Sequence, residues 1–239
     1  AQKRISTAKN LWRGLAEWNV SAQQPEWAPA SPTGHWIIDT LAARINPMGA
    51  CRALEAALLA KRVQITHEAE DKGKVIWATG THDLLHISQE LGKSFGNGVK
   101  GQAALFELDK RYQPQIFADA LHFVPHEDGT LAVGSTSERY YDTEHDVDDQ
   151  LEVLINKASQ IMPELGSAQV ITRWAGVRPR ARSRAPIVGI HPVRKNAFIA
   201  NGGFKIGFGM APRLAMIMAD LVLEGRDEIP EAFRPEICL

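Results

Sequence analysis

The chain has 239 residues, 44% hydrophobic and 23% charged, which suits one large folded domain or two small ones and leaves no compositional case for disorder. Its 27 basic and 28 acidic side chains give a net charge of -1, so no global field points to nucleic acid or an anionic membrane. No run approaches the roughly 20 apolar residues of a bilayer span, the opening AQKRISTAKN holds no apolar signal core, and the expectation is a soluble cytoplasmic protein.

Residues 1–15 predict a helix, with Ile5, Ala8, Leu11, Trp12 and Leu15 at helical spacing and no initiator Met or leading strand before it, as at an interior start. A Pro- and Trp-containing loop then leads to the extended run HWIID. Asn46-Pro47 opens a helix with the stripe Cys51, Leu54, Ala57 and Leu58. Two short strands, VQITHEA and KVIWATG, flank the turn Asp71-Lys72-Gly73, and Leu84, Leu85, Ile87 and Leu91 predict a helix before a glycine turn at 96–98. From 99 to 136 alternation predicts an antiparallel sheet with a hairpin turn at Glu127-Asp128-Gly129. A helix over 146–162 follows, capped by Asp142, Thr143 or Asp146 and stopped by Pro163. The last third reads as the strand AQVITRWAGVRP, the loop RARSRA, the strands PIVGI and AFIAN, a glycine loop and a long helix from about Met210. The order is mixed α+β.

The most informative local feature is the strand ending at Ala200, followed by Asn201 to Gly209 with four glycines and a helix. Such a turn lets backbone N–H groups approach a ligand, and the amino end of the helix favours negative charge there. It is not a dinucleotide fingerprint, which needs a following strand with an acidic residue about 20 positions on. A second feature is the cluster Arg173, Arg178, Arg180, Arg182 and Arg184: a guanidinium at a strand end can orient a carboxylate, whereas Arg180, Arg182 and Arg184 also fit a solvated basic loop, or a phosphate or RNA surface. His82 and His86 are four apart without a third ligand, so no metal is expected. No G-x-S-x-G turn is present, and no acid, base or nucleophile is assigned. Cys51 and Cys238 lack metal spacing and read as ordinary thiols, and Trp12, Trp18, Trp27 and Trp36 as fillers of core or interface gaps.

In order and spacing, the segments VIWATG, GVKGQ, LHFVPHEDGTLAVGSTSE, RWAGVRPRARSRAPIVG and FIANGGFKIGFGMAP resemble the D-amino-acid oxidase and glycine oxidase family, in its glycine-oxidase-like bacterial branch. The resemblance runs from about residue 35 onward. It implies an α+β fold, with a large, mainly antiparallel substrate-domain sheet over 1–45 and 99–190, interleaved with the remaining part of an FAD-binding α/β domain over 46–98 and 191–239. It implies FAD as cofactor, contacted by Thr79, Gly80, Gly202, Gly203, Phe204, Lys205, Ile206 and Gly207, the last loop passing the flavin's pyrimidine end. Arg178, in GVRP, falls where the family places the arginine that binds the substrate carboxylate. His122 falls where relatives have an aromatic hydroxyl lining the pocket, and Lys205 replaces a more usual arginine, a point charge instead of a fork.

The chemistry so implied is oxidation of the C–N bond of an amino acid or secondary amine by hydride transfer to flavin N5. Water then hydrolyses the imine. No amino-terminal strand, G-x-G-x-x-G loop or acidic ribose partner is expected within these residues, so the chain alone is expected to bind FAD weakly and to be inactive. A missing amino-terminal segment or partner chain would complete it. The other partner expected is a small amine or amino acid, with neither membrane nor nucleic acid. Two alternatives stay open: a non-catalytic binding module derived from the fold, and a flavin oxidase domain acting on modified tRNA.

Overall fold

The computed structural model describes residues 2–239, with side chains from Ile5 onward; Ala1, the first residue of the expected opening helix, lies outside them. Compactness divides the chain into two units, Ala1–Cys51 with Gln102–Thr136 and Val147–Trp174, and Arg52–Gly101 with Ser137–Asp146 and Ala175–Leu239.

The first unit opens with helix α1 (Gln2–Trp12) and an antiparallel pair, β1 (Trp18–Ser21) and β2 (Trp36–Asp39). Its core is built on alternation. The outer half of β4 (Gly96–Glu107), with β6 (Leu121–Pro125) and β7 (Thr130–Gly134), pairs so that Ala104 lies opposite Val133, Val133 opposite Phe123 and Phe106 opposite Leu131. These side chains are all buried on one face, where helix α4 (Asp149–Ile161) covers them with Leu151, Leu154 and Ala158. Each large side chain buried there contributes about 1.5–3 kcal/mol. The short β5 (Ile116–Ala118) adds the outer strand, and Trp27 closes the core while its indole N–H donates to the Pro114 carbonyl at 3.1 Å. The cap of α4 is Asp148, not Asp142, Thr143 or Asp146. Its carboxylate accepts from Gln150 N at 2.9 Å and from the amide of the fully buried Gln102 at 2.8 Å, so it serves helix and sheet together.

The second unit is a three-stranded sheet in the order β3 (Val75–Trp77), β10 (Ala197–Asn201) and β9 (Ile187–Ile190). β3 and β10 are parallel, and β10 and β9 antiparallel. Helix α3 (Thr81–Leu91) packs Leu84 and Ile87 against Ile187 and Ile199. The opposite face meets helix α5 (Gly207–Ala219), whose Ile217 and Met218 pack with Val188, Phe198 and Ala200; a π-helical turn, Asp220–Glu224, extends it. Free Cys238 is buried with the α3 layer, whereas Cys51 is exposed. Strand β8 (Val170–Ala181) lies beside β4 in the sheet order β5-β6-β7-β4-β8, and residues of both strands belong to both units.

Several local expectations need correction. VQITHEA forms no strand; residues 63–69 are exposed throughout and pair with no described strand. Helix α2 (Pro47–Ala60) forms where its start signal places it, yet none of its residues is buried, so the stripe from Cys51 to Leu58 lies on no core. The glycines at 96–98 begin β4 and make no turn, and α5 starts at Gly207 instead of near Met210. The spacing G-x-G-x-x-G does occur, contrary to expectation, at Gly96 to Gly101. It lies inside a strand with no helix after it, so it is no phosphate turn.

Candidate functional site

Because β3 and β10 run parallel, they end on the same side of the sheet, and each turns through glycine into a helix. β3 passes through Ala78, Thr79 and Gly80 into α3, and β10 through Gly202 to Ile206 into α5. Ligands of parallel sheets collect at such carboxyl ends. The two turns are tied together by Asn201, only 7% exposed: its amide donates to the Gly80 carbonyl at 2.9 Å, and its carbonyl oxygen accepts from Gly202 N at 2.7 Å. From sequence, Asn201 reads only as the start of the glycine loop. The signal was present, since an Asn before a Gly pair at a strand end is a good local hydrogen-bonding residue.

Glycine is needed here for two different reasons. At Gly202 (φ +74°) a Cβ would come within 2.9 Å of the Ala181 Cβ, so packing and backbone both exclude a side chain. At Gly80 a Cβ would approach only Pro179, at 4.0 Å, and at Gly207 nothing within 4 Å, which leaves both turns open to a ligand. A cavity of about 610 Å3 adjoins them, lined by Gly80, Pro179, Gly202, Gly203 and one side of α5. Neither α3 nor α5 has a side-chain cap at its amino end, so the orphan N–H groups and positive ends of two helices face the level of the strand ends. Such a pair of helix ends favours a group that carries or gains negative charge.

The other predicted residues fall as follows. Thr79 is exposed beside Gly80. Phe204 holds a positive φ of 43°, anchored by its N–H to the Pro179 carbonyl at 3.1 Å, and the Arg180 guanidinium lies 5.8 Å from its ring. Lys205 and Ile206 are exposed, with the Lys205 ammonium 5.7 Å from the Phe204 ring. Arg178 is half-buried with its guanidinium laid over Gly101, where an added Cβ would come within 2.1 Å of Nη1. Burial pushes the guanidinium below its ordinary range and the Glu138 carboxylate opposes that shift, keeping a cation in partly dry surroundings. Gly101 thus leaves the room in which the guanidinium lies and Glu138 offsets its burial, and spacing alone shows neither. His122 belongs to the first unit, exposed on β6 opposite Gly134, with its ring 4.6 Å from that of Phe117.

Of the remaining arginines, Arg173 pairs with Glu152 at 2.9 Å, while Arg182 and Arg184 are exposed. His82 lies 3.9 Å from Glu144, and no cluster of three metal-ligating side chains occurs among the described residues. No described helix is long and apolar enough to cross a membrane.

The family profile described as FAD dependent oxidoreductase matches residues 1–221. The glycine oxidase of Pseudomonas putida is 29% identical over 210 residues, 77% of this chain and 57% of that protein, and the glycine oxidase of Bacillus licheniformis is 30% identical over 68% of this chain and 48% of its own length. The chain therefore spans about half the length of these curated relatives. Among solved structures, glycine oxidase from Geobacillus kaustophilus superposes with a TM-score of 0.56 at 25% identity, covering 66% of this chain and 43% of that one. The L-amino acid deaminase of Proteus myxofaciens shares the fold, with a TM-score of 0.74 at 14% identity over 99% of this chain and 72% of its own. With its two glycine turns at the ends of parallel strands and its glycine-oxidase-like α+β fold, the chain belongs to the family of FAD-dependent oxidoreductases related to D-amino-acid oxidase and glycine oxidase.

Proposed function

We propose that this chain provides the substrate-facing and flavin-facing parts of an oxidoreductase acting on the C–N bond of an amino acid or secondary amine. The observation that carries the reading is the pair of open glycine turns locked by Asn201 at the ends of two parallel strands. FAD, when bound, supplies the two-electron acceptor. Gly80 and Gly207 would let main chain approach it closely, and the amino end of α5 would stabilise negative charge at that edge. Arg178 would hold the substrate carboxylate through its planar fork, and its partial burial strengthens that grip by excluding water.

The nucleotide half of FAD would be held by the portion of the family chain that these residues do not match. Titration with FAD, followed by flavin fluorescence, tests the reading on this chain and on the longest product of its reading frame. The expected result is weak binding by the 239 residues and a yellow, amine-bleachable protein from the longer product. If neither binds flavin, the proposal fails.

A further inference from the structure

The arginines at the end of β8 do not share one environment. Arg182 and Arg184 are exposed in the loop after the strand, whereas Arg178 and Arg180 are half-buried within it. Two positions apart on one strand, Arg178 and Arg180 project from the same face, with about 6–7 Å of backbone between them. The glycine loop after β10 is fastened to this stretch of β8. Arg180 forms an isolated antiparallel bridge with Gly203, and the neighbouring Pro179 carbonyl accepts from Phe204 N at 3.1 Å. A Cβ at Gly203 would come within 2.9 Å of the Gly207 Cα, so the loop is this tight only with glycine there. The fastening leaves the Phe204 ring beside two cations, the Arg180 guanidinium at 5.8 Å and the Lys205 ammonium at 5.7 Å. The Glu138 carboxylate acts on Arg178, but no carboxylate of the described residues lies within 4.0 Å of the Arg180 or Lys205 charge. An aromatic face offsets part of the repulsion between cations gathered around it, and an anion held among them removes the rest.

We infer that Arg180, with Lys205 beside it, takes a second carboxylate of the substrate, so that the compound oxidised here is a short amino acid or secondary amine bearing two acid groups. The inference rests on the proposed function for the reaction, and on the spacing along β8 for the second charge. Arg178 holds the carboxylate next to the C–N bond, and Arg180 takes the distal one through the paired N–H donors of its guanidinium. Lys205 adds a point charge from the loop side. The bridge to Gly203 and the bond from Phe204 N fix where these charges stand, so the site selects by the separation of the two carboxylates. A neutral analogue of the same shape leaves partly dry cations unpaired and is rejected for that reason.

The test compares glutarate with its monoamide, two acids of one shape that differ in a single charge and carry no amine to be oxidised. Both are titrated calorimetrically into the longest product of the reading frame, whose flavin content is recorded. Glutarate should bind roughly tenfold more tightly than the monoamide. Arg180→Gln should bring the two within about twofold of each other, and Arg180→Lys, which keeps a cation without the fork, should retain part of the difference. Equal affinities in the unaltered protein, or a preference that Arg180→Gln leaves intact, overturn the inference. Turnover of racemic glutamate and glutamine distinguishes this idea from the reading it rests on. Flavin bleached by both at the same kcat/KM keeps the oxidoreductase and rejects the second carboxylate site. A glutarate preference that Arg180→Gln removes, in a protein with no flavin that amines bleach, keeps the site and rejects the proposed function.

Discussion

Replacing Asn201 by alanine removes both hydrogen bonds that tie the two glycine turns. Gly202 is buried, so its N–H loses an acceptor that water cannot easily replace, a cost of about 1–3 kcal/mol. The Gly80 carbonyl is half-buried and can recruit solvent, so its lost bond costs about 0.5–1.5 kcal/mol. Together the change should destabilise the chain by about 1.5–4.5 kcal/mol. With a urea slope of about 2 kcal/mol/M, the midpoint followed by tryptophan fluorescence should fall by about 1–2 M. Asn201→Asp separates the two bonds. Its carboxylate still accepts from Gly202 N but opposes the Gly80 carbonyl, so this variant should regain stability relative to wild type as the pH is lowered toward 4 and the acid becomes able to donate. A shift below about 0.3 M for Asn201→Ala would refute the idea that Asn201 locks the site.

Gly101→Ala should leave stability within about 1 kcal/mol, because the atoms it would strike are the far end of the flexible Arg178 side chain. In a flavin-loaded form of the protein it should raise KM for a carboxylate-bearing amine at least tenfold, with little effect on kcat; an unchanged KM would separate Arg178 from substrate capture. Asp148→Ala should cost about 2–3 kcal/mol, by loss of the α4 cap and of the acceptor for buried Gln102, whereas Asp148→Asn should cost under about 1 kcal/mol; equal losses in urea unfolding would contradict that. His191 sets a pH dependence. Its Nδ1 accepts from the N–H groups of Val193 and Arg194 at 3.3 and 3.1 Å, so Nε2 carries the proton and donates to buried Asp83 at 3.2 Å. Burial pushes its pKa below the ordinary histidine value and Asp83 opposes, while burial also lowers that of His126. A depressed histidine contributes stability that is present above its unfolded pKa, about 6.5, and lost as pH falls below it. The urea midpoint should therefore drop between pH 7.5 and 5.5, less so in His191→Gln, and a rise over that interval would count against the assignment.

The sequence by itself determined the family and most elements, because those signals are local. Period-two alternation in LHFVPHEDGTLAVGST places β6, its turn and β7, and the strand–glycine–helix order of AFIANGGFKIGFG places the candidate turn. Ordered motifs also single out Gly80, Gly202 and Arg178 as candidates. Tertiary structure decided what depends on distant partners. VQITHEA has strand composition but no described strand to pair with, and Asp148 caps α4 while holding Gln102, 46 residues earlier in the chain. The glycines of GNGVKG spell a phosphate loop, yet lie in β4 because a sheet of distant strands forms around them and Arg178 needs the space above Gly101. Asn201 became a lock only when parallel pairing brought Gly80 beside it, 121 residues away in sequence. Propensity and spacing act within a few residues, whereas the satisfaction of buried polar groups and the room for a side chain are settled by whatever the rest of the chain brings near.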